Sequence, residues 1–150
     1  MKTDPVILLI EDNPDDEELT RRAFKASKIA TRLIVVRDGA EAIDFLFAAG
    51  AFAGRGAEDD PCLVLLDLKL PKIGGLEVLK IMRANLETRS IPVVVLTSST
   101  EEQDVLGSYG LGANSYVRKP VDFTKFAEAM RTLGHYWLIL NEPIPPHRAS

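Results

Sequence analysis

"LVLLDLKLP", residues 63–71, decides how the rest of the chain is read. Leu63 to Leu66 are consecutive aliphatic residues, a run too short for a helix and suited to a strand covered on both faces. Asp67 then stands at the exit of that strand, where charge and burial conflict. One carboxylate at a strand end means little by itself. Its meaning depends on what arrives beside it.

Similar apolar runs recur along the chain: "VILLI" at 6–10, "LIVV" at 33–36, "VVVL" at 93–96 and the short "SYV" at 115–117. Segments with helical periodicity separate them. Asn13 followed by Pro14 is a strong helix start, and the acids from Asp15 to Glu18 load the positive end of the helix dipole. Further helices are expected over 39–49, 74–86, 101–109 and 122–140. Ser99 and Glu102 have capping-box spacing for the fourth, and Asp122 can cap the fifth. Strand and helix alternate five times, so the spacing predicts an open α/β fold: a five-stranded parallel sheet, doubly wound. Residues 50–61, "GAFAGRGAEDDP", form a long connection with three glycines.

Composition excludes several classes. At 150 residues the chain is long enough for one domain with a real core. No apolar run approaches the roughly 18–20 residues that cross a bilayer, and the N-terminus has no leader pattern. The single cysteine, Cys62, excludes an internal disulfide framework and fits a reducing cytoplasm. Net charge is −4, and Glu17 and Glu18 precede Arg21 and Arg22 at ion-pair spacing. That basic stripe reads as a solvated helix face, which disfavours nucleic acid as a partner.

In an open parallel sheet, ligands sit beyond the carboxyl ends of the strands. Past those ends come Glu11 and Asp12, then Asp67, then Thr97 and Ser98, then Lys119. Clustered carboxylates repel one another unless a hard cation joins them, and Mg²⁺ takes a few oxygens while keeping several waters. Glu11, Asp12 and Asp67 can supply those oxygens, with the backbone carbonyl of Lys69. A carboxylate can also act as a nucleophile toward phosphorus. Lys119 and the Thr97 hydroxyl are then placed to meet the phosphoryl oxygens.

This set resembles the receiver domain of two-component response regulators. The acidic pair of "LLIEDN", the acceptor of "LLDLKLP", the hydroxyl of "VLTSS" and the lysine of "SYVRKP" stand in that family's order over about residues 6–133. The resemblance implies a flavodoxin-like fold with strand order 2-1-3-4-5. It implies Asp67 as phosphoacceptor, Asp12 as a direct Mg²⁺ (or Mn²⁺) ligand, and Glu11 as a ligand through water. It further implies Thr97 and Lys119 as phosphoryl contacts, and Tyr116 as the aromatic switch. Self-hydrolysis of the phosphoryl group in this family responds to the positions of Lys69 and Ser99, and a lysine there predicts slow decay. The kinase is expected to meet the first helix, from Asn13 to Ala23.

The end of the chain adds a second expectation. Phe126, Met130, Leu133, Trp137 and Leu140 follow a 4-3-4-3 spacing, which one buried stripe explains. "HYWLIL" at 135–140 is apolar on more sides than such a stripe needs, and "NEPIPPHR" reads as an extended arm. With 30 residues after Pro120, the expectation is a receiver over 1–140 plus an arm over 141–150, standing alone without an effector domain. The long 50–61 connection and the apolar end resemble the small response regulators paired with phytochromes. That resemblance implies a phytochrome-type sensor histidine kinase as partner. It also implies a homodimer through the last helix, with Phe126, Met130, Tyr136, Trp137, Leu138, Ile139 and Leu140 as its surface.

Two rivals follow from the same residues. A phosphatase of the haloacid dehalogenase type also uses an aspartyl phosphate but wants a second acid two residues on, where this chain has Lys69. A binding module could keep the fold and work without phosphate.

Overall fold

The computed structural model describes residues 4–98, 102–119 and 122–144. In chain order the elements are β1 (Val6–Ile10), α1 (Pro14–Ser27), β2 (Arg32–Val36), α2 (Gly39–Leu46), β3 (Pro61–Leu66), α3 (Gly75–Ala84), β4 (Val93–Thr97), α4 (Glu102–Gly110), β5 (Ser115–Arg118) and α5 (Phe123–His135). All five strands are parallel, in the order β2-β1-β3-β4-β5. This is the flavodoxin-like order.

The strand alternation divides the core in two. Ile7, Leu9, Leu63, Leu65, Val94 and Leu96 point to the face that α1 and α5 cover with Ala23, Phe24, Phe126 and Met130. Leu8, Ile10, Val64, Leu66, Val93 and Val95 point to the other, under Ala42, Phe45, Val78, Leu79 and Met82 of α2 and α3. Both sheet faces are dry, which is why the strands read as continuous apolar runs and not as alternating ones.

Helix starts follow local chemistry. The Asn13 side chain accepts from the Asp15 and Asp16 amides at 2.8 and 3.1 Å, with Pro14 in the first turn. Asp38 caps α2 and Asp122 caps α5. Ser99, expected to form a capping box with Glu102, lies outside the described residues.

The 50–61 connection is more ordered than its glycines suggest. It contains two 3₁₀ turns, Gly50–Phe52 and Ala57–Asp59. Arg55 clips it down: its guanidinium donates to the carbonyls of Phe45 and Leu46 at the end of α2, at 2.5 and 3.0 Å, and stacks on the Phe45 ring.

The last helix differs from expectation. Its α-helical part stops at His135, and Tyr136–Leu140 form a π-helical turn closed by the Asn141 amide on the Tyr136 carbonyl. An i→i+5 turn advances each residue by a smaller angle than an α-helix does, so the apolar stripe loses phase there. Phe126 and Met130 are buried in the chain's own core. They are therefore corrected from dimer surface to core. Trp137 and Leu138 pack partly against the same core, whereas Ile139 and Leu140 are 57% and 63% exposed. The expected stripe thus ends before Leu140.

Candidate functional site

The sheet itself delivers the site. Glu11, Asp67 and Lys119 each sit one position past a strand and are pinned by a backbone bond to the neighbouring strand. The Glu11 amide donates to Val36 O at 3.0 Å, the Asp67 amide to Ile10 O at 3.1 Å, and the Lys119 amide to Thr97 O at 2.8 Å. Side chains from distant parts of the sequence are thereby fixed along one edge. Gly75 at the start of α3 has a matching role, because a Cβ there would stand 2.4 Å from the Asp67 carbonyl oxygen. Only a glycine lets that helix begin so close to the strand exit.

Glu11, Asp12 and Asp67 each present a carboxylate oxygen, and the three oxygens lie within 4.8 Å of one another. Glu11 and Asp67 are buried and Asp12 is exposed. A set of hard oxygen donors, one open to solvent, fits a divalent cation such as Mg²⁺ or Mn²⁺. The Lys119 ammonium crosses this basin. It donates to Glu11 Oε1 at 2.5 Å, Asp16 Oδ2 at 2.8 Å and Asp67 Oδ2 at 3.1 Å. The other oxygen of Asp67, Oδ1, accepts from the Lys69 amide at 3.2 Å, and Glu11 Oε2 accepts from the Asn13 amide at 3.3 Å.

The electrostatics follow from this crowding. Burial pushes the Glu11 carboxyl up to about 7, and its neighbour Asp67 adds to the rise against the opposing pull of Lys119. Burial also opposes the charge on Asp67, but hydrogen bonding with Glu11 and the Lys119 ammonium overcome it and hold this carboxyl below its ordinary value. For Lys119, burial is outweighed by Asp16, Glu11 and Asp67, so the ammonium is held charged well above its ordinary range. Asp67 is thus the ionised member of the pair, with the charged Lys119 ammonium against it.

Thr97 is fully buried at the end of β4, next to β5, where its register partner is Arg118. Tyr116 pairs with Val95 and packs partly against the α2–α3 side of the core. The Lys69 side chain is exposed, two residues after Asp67. Asp16 was missed by sequence reasoning, which reads it as one of the acids at the start of a helix. Its contact partner lies 103 positions away, and local spacing holds no trace of that.

Comparison with known proteins agrees with this geometry. The response regulator receiver domain family matches residues 7–131. The response regulator Rcp1 of Synechocystis sp. is 40% identical over 133 residues, covering 89% of this chain and 88% of its own. The structure of its Mn²⁺-bound form superposes with a TM-score of 0.85 at 38% identity, covering 94% of this chain and 99% of that one. The phosphorylated cyanobacterial phytochrome response regulator RcpA gives a TM-score of 0.88 at 34% identity, covering 95% and 100%. The bacteriophytochrome response regulator RtBRR is 52% identical with a TM-score of 0.76, covering 95% and 86%. With the family matched over most of its length and the fold shared in strand order, the chain belongs to the response regulator receiver domain family.

Proposed function

We propose that this chain accepts a phosphoryl group on Asp67 from a sensor histidine kinase of the phytochrome type, and signals through altered protein–protein contacts. The observation that carries the reading is the basin itself: an ionised Asp67 held 3.1 Å from a buried ammonium, within 4.8 Å of two further carboxylates. In the transfer, an Asp67 carboxylate oxygen forms the new bond to phosphorus as the P–N bond of a phosphohistidine breaks. The electron pair of that bond stays on the imidazole nitrogen. Lys119 stands ready to pair with a phosphoryl oxygen, and Thr97 to donate its hydroxyl to another. Asp12, Asp67 and the Lys69 carbonyl would hold a divalent cation directly and Glu11 through water; bound there it supplies positive charge opposite the phosphoryl oxygens. Tyr116 would follow Thr97 as the switch.

The kinase partner is supported by the phytochrome response regulators among the similar structures, RcpA and RtBRR. Its docking surface is assigned to the start of α1, from Asn13 to Ala23. No helix among the described residues is long and apolar enough to cross a membrane, and we place the protein in the cytoplasm. Turnover of external substrates is not part of this reading, since Lys69 stands where a general acid would be required; Lys69 instead slows hydrolysis of the phosphoryl group. A homodimer through Tyr136, Trp137, Leu138, Ile139 and Leu140 completes the proposal.

Treating the protein with acetyl phosphate and Mg²⁺ and weighing it intact tests the central step. One added phosphoryl group that is absent from Asp67→Asn supports it. No gain under any condition favours a binding module that works without phosphate.

A further inference from the structure

Among the described residues Lys119 has three anionic partners, and they are not equivalent. Glu11 and Asp67 belong to the oxygen cluster that fits a divalent cation, whereas Asp16 does not. A cation entering that cluster draws on the charge of Glu11 and Asp67, the same two carboxylates that the ammonium contacts at 2.5 and 3.1 Å. Two positive centres held by the same carboxylates repel one another, so the hold of Glu11 and Asp67 on the ammonium weakens when the cation binds. The Lys119 side chain is itself only 9% exposed, and a buried ammonium with no anionic partner is costly. Asp16 solves this conflict. It lies 2.8 Å from Nζ, its side chain is 32% exposed, and it reaches the ammonium from the first turn of α1, outside the cluster.

The geometry points to Asp16 as a positioning residue for Lys119: it is the partner that stays wholly with the ammonium when a divalent cation draws on the charge of Glu11 and Asp67. Asp16 thereby makes cation binding compatible with a nearby, charged Lys119. The inference rests on the cation site of the proposed function but not on phosphoryl transfer. α1 is fixed by the Asn13 cap, so Asp16 is presented at a set height above the sheet edge. Asp15, one residue earlier in the same turn, is exposed and lies outside the set of carboxylates that the ammonium contacts among the described residues, so it serves as an internal control for charge alone.

The test is calorimetric titration of Mg²⁺ into the full chain. Asp16→Asn should weaken Mg²⁺ binding about tenfold, since among the described residues its ammonium is then left with the two carboxylates whose charge the cation also draws on. Asp15→Asn should weaken it less than about twofold, as an exposed, screened charge. In a Lys119→Met background the effect of Asp16→Asn should shrink to that same small value, because the residue acts through the ammonium. Equal losses in Asp16→Asn and Asp15→Asn would reduce Asp16 to a plain field effect and overturn the inference. So would a tenfold loss that persists without Lys119. Should Lys119→Met not fold, the comparison of the two single variants decides alone. Failure of Asp67 to take up phosphate would sink the proposed function while leaving this coupling intact, so the two fail separately.

Discussion

Glu11 lies 2% exposed between Asp67 and the Lys119 ammonium, and its proton is held to about 7 instead of the ordinary 4.5. Between those values the folded chain binds more protons than the unfolded one, so this residue makes metal-free stability fall as pH rises through that window. Asp67 acts in the opposite sense: its lowered value gives stability that is present above the ordinary carboxylate range and lost as pH falls below it. Urea unfolding in the presence of a chelator should therefore show stability declining from about pH 5 to 7, and Glu11→Gln should flatten that decline. A wild-type slope retained in Glu11→Gln would contradict the assignment. The same proton must leave before Glu11 can serve a cation. Below pH 7, apparent Mg²⁺ affinity should then rise about tenfold per pH unit and level off above, with one proton released per ion. Calorimetry in buffers of different ionisation enthalpy counts that proton directly.

At the scale of elements, Arg55 is the residue that turns a glycine-rich connection into fixed structure. Its side chain is 9% exposed, and it joins two carbonyls of α2, the Phe45 ring and the Asp60 carboxylate. Arg55→Ala should destabilise the protein by about 2 kcal/mol in chemical denaturation, since charged hydrogen bonds at a helix end are lost. Asp60→Ala should cost less than about 1 kcal/mol, because Asp60 is largely solvated and its ion pair is screened. Equal losses would mean that the ion pair, and not the helix end, carries the clip. These contacts also mark where legibility ended. The strands could be read because a dry parallel sheet leaves unbroken aliphatic runs such as Val6–Ile10 and Leu63–Leu66. Asp67, Glu11 and Lys119 could be read because that sheet collects whatever follows its strands. Arg55 and Asp16 could not, because their partners are set by tertiary approach and no local period encodes it. The phase of the last turn was equally hidden: nothing in "HYWLIL" distinguishes an α turn from a π turn.

At the scale of the whole molecule, the acidic edge and the apolar end make separate demands on stability. Among the described residues, Glu11, Asp12, Asp16 and Asp67 against the one Lys119 ammonium leave net negative charge at the edge that a divalent cation would offset. At Mg²⁺ about a hundredfold above its dissociation constant, linkage supplies about 2.7 kcal/mol. For a domain of this size that corresponds to a rise of about 5–10 °C in Tm. Asp12→Asn removes an exposed oxygen of the proposed cation site without opening the core, so it should lose most of that rise while melting normally without metal. A full Mg²⁺ shift in Asp12→Asn would place the cation elsewhere.

The apolar end is judged by a different measurement, because its residues divide into two kinds. Phe126 and Met130 are core, so Phe126→Ala should lower stability by about 3–5 kcal/mol through the cavity it leaves. Tyr136, Ile139 and Leu140 are exposed apolar groups on the closing π turn, and they form the surface that a second copy would cover. Replacing Ile139 and Leu140 together by aspartate should leave the melting of the monomer almost unchanged, because neither side chain is buried in it. The same change should desolvate two charges in a dimer, which weakens association far more than it alters folding. Light scattering at tens of micromolar should then give twice the chain mass for the wild type and the single-chain mass for the double variant. A wild-type protein that scatters as one chain at that concentration ends the dimer proposal, and a double variant that still scatters as two moves the interface off this turn.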